Sequence, residues 1–370
     1  MIRESPARWD EIARCRRAPL AIAGCGLDRY SHRSDARTCL GRHSPVTPLY
    51  PLAFDTIFKS ALWGGRRLAA FFPTAPSDGP LSEAWVLSDQ GESISRVANG
   101  PLARTTLREL QRTRGRELLG RAGDRTEFPL LLKFIDARDH LSVQVHPDDA
   151  LARKLAGMAH GKTEAWVVLD VEPGSRICAG LANGVTREGL EAALAAGQMA
   201  DVLHTFEPAV GDCVFIPAGT VHAIGAGLAV FEVQQTSDIT YRLYDWGRVD
   251  PKTGQPRELH VDKGLACTDF SIGPRRPAWP ALEHTGPVSR ERLVRCDYFT
   301  LYRYHGSQSF IHEGGGVGTV LVGLNGDVAV RSGGREEWLR PGGVLLIPAS
   351  LGRVEIVPAG DYTMLECVPA

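Results

Sequence analysis

The sequence predicts a mainly β protein made of two β-barrels with a few inserted helices, and three observations carry that expectation. From Tyr50 onward, short apolar runs are punctuated by Gly and Pro, with few stretches of helical period between them. Many of those runs alternate or are rich in β-branched residues, as in LSVQVH, EAWVVLDV and LAVFEVQQ. An internal echo then sets the number of barrels: GDCVFIPAGTVH at 211–222 and GGVLLIPASLGR at 342–353 share a Gly, an apolar strand and an Ile-Pro-Ala turn at the same offsets. The place of His222 in the first copy is taken by Arg353 in the second, so only the first barrel is expected to keep a metal.

Taken in order, residues 1–46 are rich in Arg, Ser and Cys and lack a sustained apolar period, which reads as a disordered extension outside the folded core. Residues 47–265 form the expected catalytic, metal-binding domain with helical insertions, and 266–370 a second barrel without metal ligands. Three helices are expected: one from Thr106 through TLRELQRTRGRELLG, one after the cap signal at Pro147 and Asp148, and one from Thr186 continuing through His204 to TF. Their charged faces, RELQRTRGRE above all, read as solvated. Later runs FTLYRYH, GTVLVGLNGDVAV, GGVLLIPAS and VEIVPA read as strands, and Asn325-Gly326 between two of them predicts a type I′ hairpin.

Composition excludes several classes. Of 370 residues, 43% are hydrophobic and 23% charged, which is ordinary globular usage, and Lys+Arg 42 against Asp+Glu 43 removes the footprint of a dedicated nucleic-acid binder. No run approaches the ~20 apolar residues that span a bilayer, and the N-terminus does not read as a signal peptide, so a cytoplasmic location without membrane partners is expected. The eight cysteines contain no CxxC pair and read as free thiols.

The chemistry concentrates in a few strands. In LSVQVHPDD, alternate positions put Ser142, Gln144 and His146 on one face and Val143 and Val145 on the other. Polar residues on the inward face of a barrel strand call for a polar interior. In GKTEAWVVLD, Lys162 and Glu164 likewise share a face, with Thr163 pointing away. His146, Glu164 and His222 are separated by 18 and 58 residues, too far apart for a local zinc finger but suited to neighbouring barrel strands. Two imidazoles and a carboxylate leave open positions on a divalent ion, the pattern of a catalytic zinc site, and Gln144 offers a fourth, weaker oxygen ligand.

QVHPDD, GKTEAW, IPAGTVHAIG and QQTSDITYRLYDWGR resemble, in order and spacing, the corresponding segments of type I mannose-6-phosphate isomerases, particularly the short bacterial branch. The resemblance begins near LAFDTIFKSALWGGRRL, passes through EAWVLSD and covers about Tyr50 to Ala370. It implies a cupin (jelly-roll) fold, one zinc ion held by Gln144, His146, Glu164 and His222, and interconversion of mannose 6-phosphate and fructose 6-phosphate. The family's active-site arginine and lysine fall on Arg242 and Lys162. Where many relatives have lysine-proline-glutamate, this chain has Lys162-Thr163-Glu164.

Moving a proton between C1 and C2 of a sugar through an enediol needs a base, a stabiliser of negative charge on oxygen and a phosphate anchor. Zinc suits the second role. Arg242 suits the enediolate or the phosphate, Lys162 proton transfer, and Ser142 a hydrogen bond to the phosphate. The base stays open, with Asp245, Glu232 and His260 as further candidates. Two other readings stand beside this one: another metal-dependent cupin enzyme such as an oxygenase, and a sugar-phosphate-binding regulator that no longer catalyses. Oligomeric state is not legible.

Overall fold

The computed structural model describes residues 47–250, 253–284 and 288–370. The expected extension at 1–46, with Cys15, Cys25 and Cys39, lies outside the described residues. Strands dominate and, apart from a two-stranded ribbon of Asp89–Gln90 and Ser93–Ile94, fall into two pairs of sheets. A six-stranded sheet centred on Leu130–Ala137, Leu228–Gln235 and Glu164–Val171 faces a five-stranded sheet holding Val143–Val145, His222–Ile224 and Tyr241–Tyr244. A seven-stranded sheet that includes Phe299–Gly306, Thr319–Asn325 and Tyr362–Pro369 faces a four-stranded one.

The apolar runs read as strands because both of their faces are buried. Along Leu130–Ala137 every residue is buried. Leu130, Leu132 and Phe134 join Phe299, Leu301, Val320 and Leu365 in one core where the six- and seven-stranded sheets meet. Ile135 and Ala137 belong instead to the core between the six- and five-stranded sheets. Burying such side chains contributes roughly 1.5–3 kcal/mol each. The outer face of the five-stranded sheet, with Val143 and Val145, is covered by the helix Arg187–Ala196 and by Val261–Cys267.

Two of the expected helices start where their caps predict. Thr106 accepts a hydrogen bond from the Glu109 N–H ahead of Leu107–Leu119, and Asp148 accepts one from Leu151 ahead of Asp149–Ala156. The third starts at its Thr186 cap but is shorter than expected. Gly197 adopts φ 68° and closes the helix at Ala196, since a left-handed residue ends it and its N–H returns to Ala193 and Leu194. Residues Leu203–Phe206 form a strand paired with Ile177–Leu181, so His204 lies on a strand and not at a helix terminus. The short helix Val261–Cys267 carries no side-chain N-cap and was not expected.

The Asn325-Gly326 hairpin is also corrected. Thr319–Asn325 pairs with Val344–Ile347 and Tyr362–Pro369, whereas Val328–Ser332 pairs with Arg335–Leu339 and Arg353–Pro358 in the other sheet. The chain turns a corner between two sheets, and only Gly326 of the pair has positive φ, where a type I′ turn needs two such residues.

The two Ile-Pro-Ala turns perform the same task in each half. Cys213–Ile216 belongs to the six-stranded sheet and the next strand, His222–Ile224, to the five-stranded one; Val344–Ile347 and Arg353–Pro358 are divided in the same way. The turn is therefore a corner that carries the chain across the sandwich. Its exit delivers a buried His222 in the first half and an exposed Arg353 in the second.

Gly161 positions the strand that carries Glu164. Its N–H donates to Asp149 Oδ1 at 2.7 Å, Lys162 N donates to Pro147 O at 3.0 Å, and a Cβ on Gly161 would lie 2.5 Å from the Pro147 carbonyl oxygen. Gly161→Ala must push these backbones apart. It is expected to lower the unfolding free energy in urea by about 1–3 kcal/mol, the usual cost of overpacking; an unchanged midpoint would show that the loop yields freely.

Candidate metal centre and adjoining cavity

Three strands and one corner converge on a single point between the facing sheets. His222, the first residue of its strand, is the cross-strand partner of Gln144. His146 follows the strand that carries Gln144, and Glu164 opens the facing strand, opposite Ile216 and Gln234. All three ionisable residues are essentially inaccessible, at 1%, 0% and 0% exposure for His146, Glu164 and His222. Their ligand atoms lie within 4.8 Å of one another. Glu164 Oε2 is 3.6 Å from His146 Nε2, and Glu164 Oε1 is 3.4 Å from His222 Nε2.

Both imidazoles are oriented from behind. His146 Nδ1 bonds the Ile239 carbonyl at 2.8 Å and His222 Nδ1 the Thr220 carbonyl at 2.9 Å, which places the proton on Nδ1 and turns Nε2 inward as an acceptor. Burial pushes both imidazoles down, His222 to about 4 and His146 well below the usual histidine range, with the Lys162 ammonium adding to the effect at both. Burial raises Glu164, and the neighbouring Glu232 carboxylate adds to that, while Lys162 opposes it. His146 Nε2 and Glu164 Oε1 are buried without a hydrogen-bond partner. These orphaned acceptors, together with His222 Nε2, whose partner is the Gln144 amide, gather two imidazole nitrogens and a carboxylate, a donor set that a divalent cation satisfies.

The other expected residues surround this point. Lys162 Nζ lies 3.1 Å from Glu164 Oε2 and 3.7 Å from Glu232 Oε1. Thr163 does point away: its hydroxyl accepts from Ala218 N in the Ile-Pro-Ala corner, tying that turn to the site. Gln144 presents its amide nitrogen to His222 Nε2 at 3.2 Å, and its oxygen accepts from Ser142 Oγ at 3.4 Å. Ser142, Gln144, Lys162 and Arg242 all line one cavity of about 230 Å³. A larger open depression of about 490 Å³ along Gln111–Thr126 gathers no comparable group, and its Arg114 and Arg116 are occupied by Glu117 and Asp124.

Lys133 and Glu83 were missed by the sequence reading. Lys133 is 4% exposed in the middle of LLLKFIDA, lines the cavity, and lies 3.1 Å from Glu232 and 3.7 Å from Glu83. Burial alone would depress its ammonium, but those two carboxylates more than reverse this and hold it charged. The same lysines keep Glu232 ionised against its burial, and Trp166 Nε1 donates to it at 2.9 Å. A single lysine in an otherwise apolar strand was the available signal. Of the further base candidates, Glu232 lines the cavity, Asp245 is engaged by Arg248 and Arg257, and His260 Nδ1 accepts from Arg242 N. His312 lies 3.3 Å from Glu366 in the second pair of sheets.

Comparison with known proteins agrees with this geometry. Residues 52–164 match the sequence profile of the phosphomannose isomerase type I catalytic domain. The chain is 35% identical over 307 residues to mannose-6-phosphate isomerase ManA of Bacillus subtilis, covering 83% of this chain and 95% of that protein. The chain belongs to the type I mannose-6-phosphate isomerase family. Another member, the mannose-6-phosphate isomerase of Streptococcus mutans, is 34% identical over 81% of this chain and 93% of its own length. The crystal structure of the Bacillus subtilis mannose 6-phosphate isomerase superposes with a TM-score of 0.79 at 28% identity, covering 86% of this chain and 99% of that one. The cupin-type architecture of the family accounts for the paired sheets. Among the described residues no helix is long and apolar enough to cross a membrane, and the five described cysteines are free thiols.

The depressed His222 has a measurable consequence for the metal-free protein. Its folded pKa of about 4 lies below the unfolded value of 6.5, so the unfolded chain takes up the proton first and stability is lost as pH falls from 6.5 toward 4. Glu164 works in the opposite sense, since its raised pKa lets the folded state bind a proton first. The difference between wild type and His222→Gln isolates the imidazole. After chelation, that difference in unfolding free energy is expected to shrink by on the order of 3 kcal/mol across this window, and a pH-independent difference would contradict the burial argument.

Proposed function

We propose that this chain is a zinc-dependent aldose–ketose isomerase that interconverts mannose 6-phosphate and fructose 6-phosphate through an enediol. The observation that carries the reading is the His146–Glu164–His222 cluster beside a cavity lined with Lys133, Lys162 and Arg242, in a chain of this family. Chemistry is assigned to residues 47–265; in 266–370, Arg353 stands in the place of His222. Zinc fits the nitrogen and oxygen donors of His146, His222 and Glu164, and Gln144 would add a fourth ligand once its amide turns to bring the oxygen, which here accepts from Ser142, toward the cluster. When bound, it supplies Lewis-acid polarisation of the sugar oxygens at C1 and C2.

The remaining work falls to the side chains. Lys162, set between Glu164 and Glu232, is placed to pass a proton to or from a sugar oxygen, and Glu232, ionised on the same cavity wall, is the candidate base that takes the proton from one of C1 and C2 and returns it to the other. Arg242, half-buried on the strand beside Gln144, offers a delocalised positive charge to the enediolate. Ser142 adds a hydroxyl to the cavity wall for the substrate.

Formation of fructose 6-phosphate from mannose 6-phosphate, followed by a coupled assay, is expected to disappear on chelation and to return with zinc. Zinc retention without turnover would favour a sugar-phosphate-binding regulator. His222→Ala should lose bound metal and lower turnover by more than the ~10–100-fold typical of residues that merely orient a ligand. Lys162→Met should keep its metal and lower kcat by roughly 10²–10⁴-fold, the usual contribution of a general acid or base; near-normal turnover would remove Lys162 from the proton path.

A further inference from the structure

The five-stranded sheet lays out the cavity as a series of steps leading away from the metal cluster. His222, Gln144 and Arg242 are register partners on three adjacent strands. After Tyr241–Tyr244 the chain turns and comes back. Val249 bridges Pro256, His260 N donates to Arg242 O at 2.7 Å, and Arg242 N donates to His260 Nδ1 at 3.2 Å, so residues 256–260 form a fourth step beside Arg242. At ~4.8 Å between strands, this returning segment lies on the order of 14 Å from the His222 backbone. Arg257 reaches from it into the same cavity as Lys162, Ser142 and Gln144.

Its guanidinium is held in place. Arg257 Nε donates to Asp245 Oδ2 at 2.8 Å and Nη2 to Asp245 Oδ1 at 2.5 Å, which fixes the plane of the fork. That leaves three of its five N–H donors without a partner among the described residues. Arg242 lines the same wall, its Nη1 held by the Glu258 carbonyl and its Nε buried without a partner. Asp245 also takes Arg248, so this one carboxylate serves two guanidiniums and the cluster stays cationic; of the acids on the cavity wall, Glu83 and Glu232 are paired with Lys133 and Lys162, and Asp238 is the third. The burial of Arg242 and the charge of Arg257 both weaken the hold of Arg242 on its proton, and both residues line the one cavity.

We propose that Arg257 binds the phosphate of the substrate, with Asp245 as the positioning residue that presents its guanidinium. This rests on the isomerase reading, in which the reacting carbons C1 and C2 lie at the metal and the phosphate on C6 lies at the opposite end of the sugar. A preorganised planar fork three strand positions past the one that carries His222 recognises a phosphate dianion through paired N–H···O bonds. Arg242, one step nearer the metal, is thereby freed for the reacting end.

The test uses the zinc-loaded full chain and two variants, Arg257→Gln and Arg257→Lys. Three quantities are read: KM and kcat for mannose 6-phosphate, Kd for inorganic phosphate by calorimetry, and bound zinc. In Arg257→Gln both KM and the phosphate Kd are expected to rise about tenfold or more, the scale of a lost charge-assisted pair, with a smaller change in kcat and zinc retained. Arg257→Lys, which keeps the charge and loses the fork, should fall between wild type and Gln, and it carries the comparison if the Gln variant does not fold. Phosphate binding and KM within twofold of wild type in a folded variant overturns the proposal, as does loss of zinc or kcat with the phosphate Kd unchanged, which would mark Arg257 as a purely structural clamp. A wild-type protein that does not isomerise mannose 6-phosphate would sink the isomerase reading, while the phosphate titration would still decide the role of Arg257.

Discussion

Glu164 is a carboxylate with no access to water, and taking one such charge out of solvent costs several kcal/mol even after relaxation. The surrounding structure is organised around offsetting that cost. Lys162 lies against Glu164 Oε2, and Lys133 neutralises the adjacent Glu232. Glu164, raised by its burial and by Glu232, still holds its charge poorly, and orphaned acceptors gather at one point. A divalent cation answers both at once. The same residues that make the site costly by itself therefore suit it to holding a cation.

The sheets supply the rigidity this requires. Successive side chains on Leu130–Ala137 alternate between the barrel interior and the interface with the seven-stranded sheet, so Lys133 faces the cavity while Leu132 and Phe134 anchor the strand on the other side. Val143 and Val145 do the same for Gln144 and His146 by packing under the helical layer. The Ile-Pro-Ala corner carries the chain from the strand opposite Glu164 to the strand that begins with His222, and Thr163 bonds that corner from within the Lys162–Glu164 segment. One short piece of chain thus sets the distance between a carboxylate on one sheet and an imidazole on the other.

The second pair of sheets shows what becomes of the plan without a ligand set. Glu366 is as buried as Glu232, yet it is satisfied by protein alone: Tyr304 donates at 2.9 Å, Arg290 at 3.3 Å, and His312 lies 3.3 Å away. The exit of its corner carries the exposed Arg353. One architecture accordingly holds an open polar centre in one half and a closed polar core in the other.

The sequence by itself determined the strand-rich body, the two copies of the corner, and the inward placement of Ser142, Gln144, His146 and Glu164, because alternation is a local consequence of the pleat and a cap or proline turn acts within a few residues. It also carried the three members of the metal cluster, since polar residues at inward strand positions have no other economical explanation. Tertiary structure decided what depends on distant partners. Asn325-Gly326 reads locally as a hairpin, but its two flanking runs find better partners in different sheets. The third helix stops at the left-handed Gly197, and past a short turn at Met199–Asp201 the residues Leu203–Phe206 leave the helical pattern to pair with Ile177–Leu181. Lys133 looks like an interruption in an apolar strand until Glu232 and Glu83, far along the chain, are brought beside it. Arg257 lies in a polar loop that no period singles out, and only the return of that loop alongside Arg242 places a guanidinium, clamped by Asp245, at the wall of the cavity.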